Sequence, residues 1–212
     1  MRRLACLLAP SVLALCCGSA LAQSAGELVP NGRLPTWAVP EHYSLAIKVD
    51  PEQAQFSGRT TIRVQLKQAS DHLWLHGKEL KVSKATVKPA KGKALTARYV
   101  DADAQTGVVR LDFGRTLKPQ TLTVDITYSA PLNQQLQGLY QVKYQGKAYA
   151  MTQMEPISAR YAFPSFDEPA FKTPFDLSLT VPADDQALAN TIATSTKPVS
   201  YTHLTLPTIL LV

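Results

Sequence analysis

The sequence predicts an all-β fold, an antiparallel sandwich or saddle-shaped sheet domain with one short helical turn. Apolar residues recur at every second position in one run after another, and Gly, Pro, Asp or Asn separates the runs. No stretch longer than two turns holds a helical period without a proline or a β-branched residue interrupting it. With 45% hydrophobic and 18% charged residues, the 212-residue chain has a globular composition with room for one core.

Residues 1–22 read as a signal peptide. Met1-Arg2-Arg3 precedes an apolar run from Leu4 to Leu15, and Ser19-Ala20-Leu21-Ala22 places small residues where a signal peptidase would cut before Gln23. The expected destination is outside the cytoplasm, periplasmic or extracellular. Leu13-Ala14-Leu15-Cys16 approximates a lipobox, so a lipid anchor is the alternative, with bulky Leu15 against it. The apolar run is too short to cross a bilayer, and no transmembrane segment is expected. Cys6, Cys16 and Cys17 all lie in this leader, which leaves the remaining chain without a disulfide or a thiolate. A formal charge of +6, two units of it from Arg2 and Arg3, is mild basicity and predicts no nucleic-acid partner.

Residues 23–40, rich in Pro and Gly, should form a loose lead-in to a β domain over 41–198. Its strands are marked by Tyr43, Leu45, Ile47 and Val49, then Ile62, Val64 and Leu66, then Leu73 to His76. Val109, Leu111 and Phe113 follow, then Leu122, Val124, Ile126 and Tyr128. Gln137 to Thr152 predicts a hairpin turning at Gln145-Gly146-Lys147, where the glycine supplies positive φ. Helix is confined to about one turn near Ile157 to Tyr161, before a strand carrying Phe175, Leu177, Leu179 and Val181.

Residues 199–212 stand apart. Val199-Ser200-Tyr201-Thr202-His203-Leu204 is the translation of codons found in a transposase adapter used for sequencing libraries, so read-through into adapter is expected. The alternative is an ordinary apolar edge strand.

Several groupings invite functional readings. Lys78, Lys81, Lys84, Lys88, Lys91, Lys93 and Arg98 could bind an anionic envelope or a polynucleotide, but they lack interleaved aromatic residues for base stacking and fit a solvated face. His72 and His76 sit four apart, which on a helix would place both imidazoles on one face as in a zinc site; the intervening Leu73-Trp74-Leu75 reads as strand, on which they also share a face but lie about 13 Å apart, too far for one metal whose ligand bonds are about 2.0 Å. No H-E-x-x-H, phosphate loop or G-x-S-x-G elbow is present, so the chain carries no catalytic engine of its own.

Residues 150–182 combine polar, charged and aromatic residues in loop-prone sequence, a composition that favours recognition on a rigid scaffold. Glu155, between Met154 and Pro156, is expected to be a partly desolvated carboxylate suited to an ammonium group. Its alternative role is to cap the turn at Ile157.

Thr152 through Lys172 closely resembles the motif T-Q-x-E-P-x-x-A-R-x-x-F-P-C-F-D-E-P-x-F-K of the N-terminal domain of zinc aminopeptidases related to aminopeptidase N. Ser165 departs from it, standing where that family usually has Cys. Val39-Pro-Glu-His-Tyr-Ser-Leu, Phe56-Ser-Gly, Leu75-His-Gly, Leu132-Asn and Leu139-Tyr140 extend the resemblance over about residues 34–197. It implies the N-terminal substrate-recognition domain of a zinc aminopeptidase that removes N-terminal residues from peptides. The zinc and its H-E-x-x-H ligands would belong to a downstream catalytic domain absent here, so this fragment should be inactive alone. Gln153 and Glu155 would line the first substrate pocket, the carboxylate pairing with the peptide's free α-ammonium. Arg160, Asp167 and Glu168 would be a structural network holding the loop against the neighbouring domain. The rival readings are a non-catalytic scaffold of the same superfamily and a freestanding extracellular β-sandwich binding module.

Overall fold

The computed structural model describes residues 28–198 and the backbone of 201–208; the expected signal peptide lies outside the described residues. The strands are β1 (Ala38–Lys48), β2 (Gln55–Leu66), β3 (Ser70–His76), β4 (Lys81–Pro89), β5 (Leu95–Thr96), β6 (Arg98–Asp103) and β7 (Val108–Leu117). They continue with β8 (Gln120–Pro131), β9 (Gly138–Tyr144), β10 (Lys147–Gln153), β11 (Phe175–Pro182), β12 (Ser195–Pro198) and β13 (Tyr201–Thr208). A 3₁₀ turn at Ala159–Tyr161 is the one helical element among the described residues, within the predicted window.

Three sheets result. The largest runs β12-β13-β11-β1-β2-β8-β4-β5, a second is β3-β7-β6, and the third is the β9–β10 hairpin. Alternation decides which face is buried. Ile62, Val64 and Leu66 of β2 and Leu122, Val124 and Ile126 of β8 are all fully buried, paired as Ile62↔Val124 and Val64↔Leu122. Leu73, Leu75, Val109 and Leu111 of the three-stranded sheet join the same hydrophobic core, so the two sheets form an all-β sandwich. Burying one such side chain contributes about 1.5–3 kcal/mol.

Two features differ from expectation. The large sheet is not wholly antiparallel, because β1 and β11 pair in parallel from Tyr43↔Phe175 to Lys48↔Thr180, with the Tyr43 and Phe175 rings stacked 4.4 Å apart. The lead-in is ordered before residue 41. Leu34 is buried, its N–H donates to Glu168 Oε1, and β1 starts at Ala38. The backbone of Tyr201–Thr208, within the stretch expected to derive from adapter, lies between β11 and β12 in the sheet.

The basic run occupies the solvated surface expected of it. Lys81, Lys84, Lys88, Lys91, Lys93 and Arg98 are exposed, and Arg98 pairs with Asp112 at 2.6 Å.

Candidate functional site

The candidate site lies where the β9–β10 hairpin runs into the loop at 154–169. Gln145 and Gly146 have consecutive positive φ values of 50° and 79°, which makes the tight turn that brings β10 back along β9. The hairpin is anchored to the β1–β2 connection, as Gln141 Nε2 donates to the Pro51 carbonyl at 2.6 Å and the Ala148 N–H to Glu52 Oε1 at 3.2 Å. Asn133 fastens the other side, its N–H donating to the Leu139 carbonyl and its own carbonyl accepting from the Gln141 N–H.

Gln153 ends β10, and beyond it Met154 packs toward the core while Gln153 and Glu155 both face outward. The Glu155 carboxylate is therefore exposed in this chain, not partly desolvated as its apolar neighbours suggested, because strand-end alternation puts Met154 inside and its neighbours outside. Glu155 is not a helix cap either. Ser158 holds the N-cap position of the 3₁₀ turn, whose first turn contains no acid. The Glu155 N–H donates to Gln153 Oε1 at 3.4 Å, which ties the two candidate residues together.

The loop that carries Glu155 is held from behind. Arg160 and Asp167 are both buried and pair through Nε and Oδ2 at 2.8 Å. Arg160 also donates from Nη1 to the Thr106 carbonyl and from Nη2 to the Asp167 carbonyl, while its backbone N–H reaches Asp167 Oδ2. Burial pushes the Asp167 carboxyl up, and the Arg160 guanidinium offsets part of that rise. Every one of these partners belongs to this domain, and Glu168 accepts from Leu34.

His76 closes the arrangement. Its backbone exchanges hydrogen bonds with Ser165, at 2.7 Å and 2.9 Å, and its Nδ1 accepts the Asp167 N–H at 3.2 Å. An imidazole accepting at Nδ1 is neutral, and burial reinforced by the Arg160 charge lowers its pKa to about 3. Tyr43 fixes the next residue, its hydroxyl accepting the Phe166 N–H at 2.9 Å. The Ser165 hydroxyl is buried without a hydrogen-bond partner among the described residues. Sequence reasoning missed Thr106, Leu34 and Gly138, and it placed His76 in a strand and in the Leu75-His-Gly stretch without finding its acceptor role toward Asp167.

The residues present do not fit a zinc ion. No cluster of three or more His, Cys, Asp or Glu side chains able to hold a metal occurs among the described residues. His72 Nδ1 lies 2.6 Å from Asp71 Oδ1, and His76 Nδ1 is taken by a backbone N–H.

A model of the peptidase M1 N-terminal domain matches residues 39–205. Puromycin-sensitive aminopeptidase of Caenorhabditis elegans is 32% identical over 186 residues, covering 85% of this chain and 20% of that protein. Aminopeptidase M1 of Arabidopsis thaliana is 33% identical, covering 74% of this chain and 19% of its own. Endoplasmic reticulum aminopeptidase 1 of Rattus norvegicus is 32% identical, covering 76% and 18%. The chain thus spans about a fifth of the length of the curated relatives it matches.

These relatives correct the expected export. They include a puromycin-sensitive aminopeptidase, a plant aminopeptidase M1 and an endoplasmic reticulum aminopeptidase, and are not clearly proteins of the periplasm or the extracellular space. A basic start followed by an apolar run describes a segment's hydrophobicity and does not by itself set a compartment.

Proposed function

The chain belongs to the peptidase M1 family through its N-terminal domain, and on that premise we propose that it is the substrate-recognition part of a peptidase removing N-terminal residues from peptides. One contrast carries the reading. Of the charged motif residues, Arg160, Asp167 and Glu168 are taken up by partners inside the domain, whereas the Glu155 carboxylate faces outward from a loop those partners hold.

An outward carboxylate whose backbone N–H is tied to the Gln153 amide suits a cationic group that also offers hydrogen-bond donors, which describes a peptide's α-ammonium. Such a charge-assisted contact is worth about 1.5–3 kcal/mol. Capturing the terminal amine sets which peptide bond reaches the reacting centre, and so makes the enzyme an exopeptidase.

The family is generally zinc-dependent. Since the described residues do not fit a metal, the proposal assigns the zinc ligands and the catalytic groups to the remainder of the full-length protein. The β domain then starts no later than Ala38, where β1 begins, and runs to Pro198, with 199–212 adapter-derived. An uninterrupted genomic match through Val212 would overturn that last division.

The test is Glu155→Ala in the full-length enzyme. Loss of about 1.4 kcal/mol or more of transition-state binding lowers kcat/KM for an aminoacyl anilide at least tenfold. Unchanged turnover contradicts the assignment.

A further inference from the structure

The register of the large sheet gathers cations on its outer face. Ile62, Val124 and the other core positions of β1, β2, β8 and β4 point inward, so the residues between them point outward and line up across the strands. Lys48, Ser57, Ser129 and Lys81 form one such row from β1 to β4. Arg59 shares the next row with Lys84, and Arg63 a further one with Lys88. The middle of the face is neutralised, as Arg59 pairs with Asp125 at 2.6 Å and Arg63 with Glu41 at 3.0 Å. The β4 side differs. Lys81, Lys84 and Lys88 are exposed and make no ion pair among the described residues, and Lys91 and Lys93 follow them in the same state. No Phe, Tyr or Trp occupies an outward position in these rows, which hold Ser, Thr, Ala, His, Asp, Lys and Arg.

We propose that this face docks on the surface of an anionic lipid bilayer. Its cations spread in two dimensions, since Lys48 lies three strand spacings, roughly 14 Å, from Lys81 and the β4 lysines run along the perpendicular direction. A plane of phosphate groups matches that spread better than a single polyanionic chain, which would follow one row. Lysine is a compact, strongly hydrated charge and reads phosphate as a point charge. The Ser57 and Ser129 hydroxyls between Lys48 and Lys81 add donors for phosphate oxygens. With no aromatic side chain the face cannot stack bases, and with no large apolar one it cannot insert among acyl chains. Attachment is therefore electrostatic, reversible and screened by salt.

The test sediments the full-length enzyme with vesicles of phosphatidylcholine alone or with added phosphatidylglycerol. Binding to the anionic vesicles only is expected, together with its loss in about 1 M salt, where the screening length is about 3 Å. Each lysine at an anionic surface contributes about fivefold, so Lys81→Gln, Lys84→Gln and Lys88→Gln together should lower partitioning about a hundredfold. Arginine at the same three positions keeps the charge and should keep the binding, and anilide turnover should match the native enzyme in both triple variants. Equal sedimentation with the two vesicle types, or a glutamine variant that binds like the native enzyme, overturns the proposal. So does a DNA duplex that holds the enzyme at salt concentrations releasing it from the vesicles, because the face would then serve a polynucleotide.

Discussion

Gly138 stands directly across the β9–β10 ladder from Gln153, and a methyl group added at Gly138 would lie 2.7 Å from Tyr161 Cβ and 3.0 Å from the Ser158 carbonyl oxygen. The hairpin and the 3₁₀ turn meet at this glycine, so the gap it leaves sets how closely Gln153 approaches the loop carrying Glu155.

Gly138→Ala is therefore expected to cost more than loss of flexibility alone. Its φ of 62° imposes about 1–2 kcal/mol on any L side chain, and the overpacking adds about 1–3 kcal/mol. Gly146→Ala has a φ of 79° but nothing within 4 Å, so it pays the backbone cost alone. Urea unfolding of the two variants should show the larger loss at position 138; equal losses would mean that the contact with Tyr161 relaxes freely.

Ser165→Cys should stabilise the domain. A buried hydroxyl without a partner costs about 1–3 kcal/mol, whereas a thiol behaves as a small hydrophobe. The expected gain is about 1 kcal/mol in unfolding free energy. A Ser165→Ala variant that loses stability would show that the hydroxyl is bonded after all.

His76 makes the domain sensitive to mild acid. Its folded pKa of about 3 lies below the ordinary 6.5, so between those values the unfolded chain binds a proton that the folded chain refuses. Stability from this group is complete above about pH 6.5 and falls as the pH drops toward 3, by up to about 1.4 kcal/mol per unit. Asp167, whose carboxyl is raised, works in the opposite direction at the acid end. His76→Asn, which keeps an acceptor for the Asp167 N–H, should flatten unfolding free energy between pH 7 and 5. An unchanged slope would assign the acid sensitivity elsewhere.

Arg160→Met should cost about 3–5 kcal/mol, because it strands the buried Asp167 carboxylate. Adding Asp167→Asn removes the stranded charge and should restore part of the loss. If the double variant is no better than the single one, packing by the arginine side chain, rather than its charge, holds the loop.

Much of the fold was legible because alternation reports which face of a strand is buried. Ile62, Val64, Leu122, Val124 and Ile126 lie inside as their spacing predicted, and the hairpin turns at Gln145-Gly146. Alternation is silent about neighbours and direction, which is why the parallel pairing of Tyr43 with Phe175, 132 positions along the chain, could not be read. The site was legible in part for a similar reason. The Thr152 to Lys172 motif nominated Gln153 and Glu155 as candidates, but exposure at Glu155 depends on Met154 taking the inward position at the strand end. The acceptor role of His76 toward Asp167 joins residues that only the folded sheet brings together.

The central claim is that Glu155 recognises a free α-ammonium. The most direct measurement is the ratio of kcat/KM for an aminoacyl anilide to that for its desamino analogue, in the full-length enzyme and in Glu155→Gln. The native enzyme should prefer the amine strongly, and the substitution, which keeps the side chain's shape and removes its charge, should shrink that preference at least tenfold. A preference that survives intact in Glu155→Gln would contradict the account.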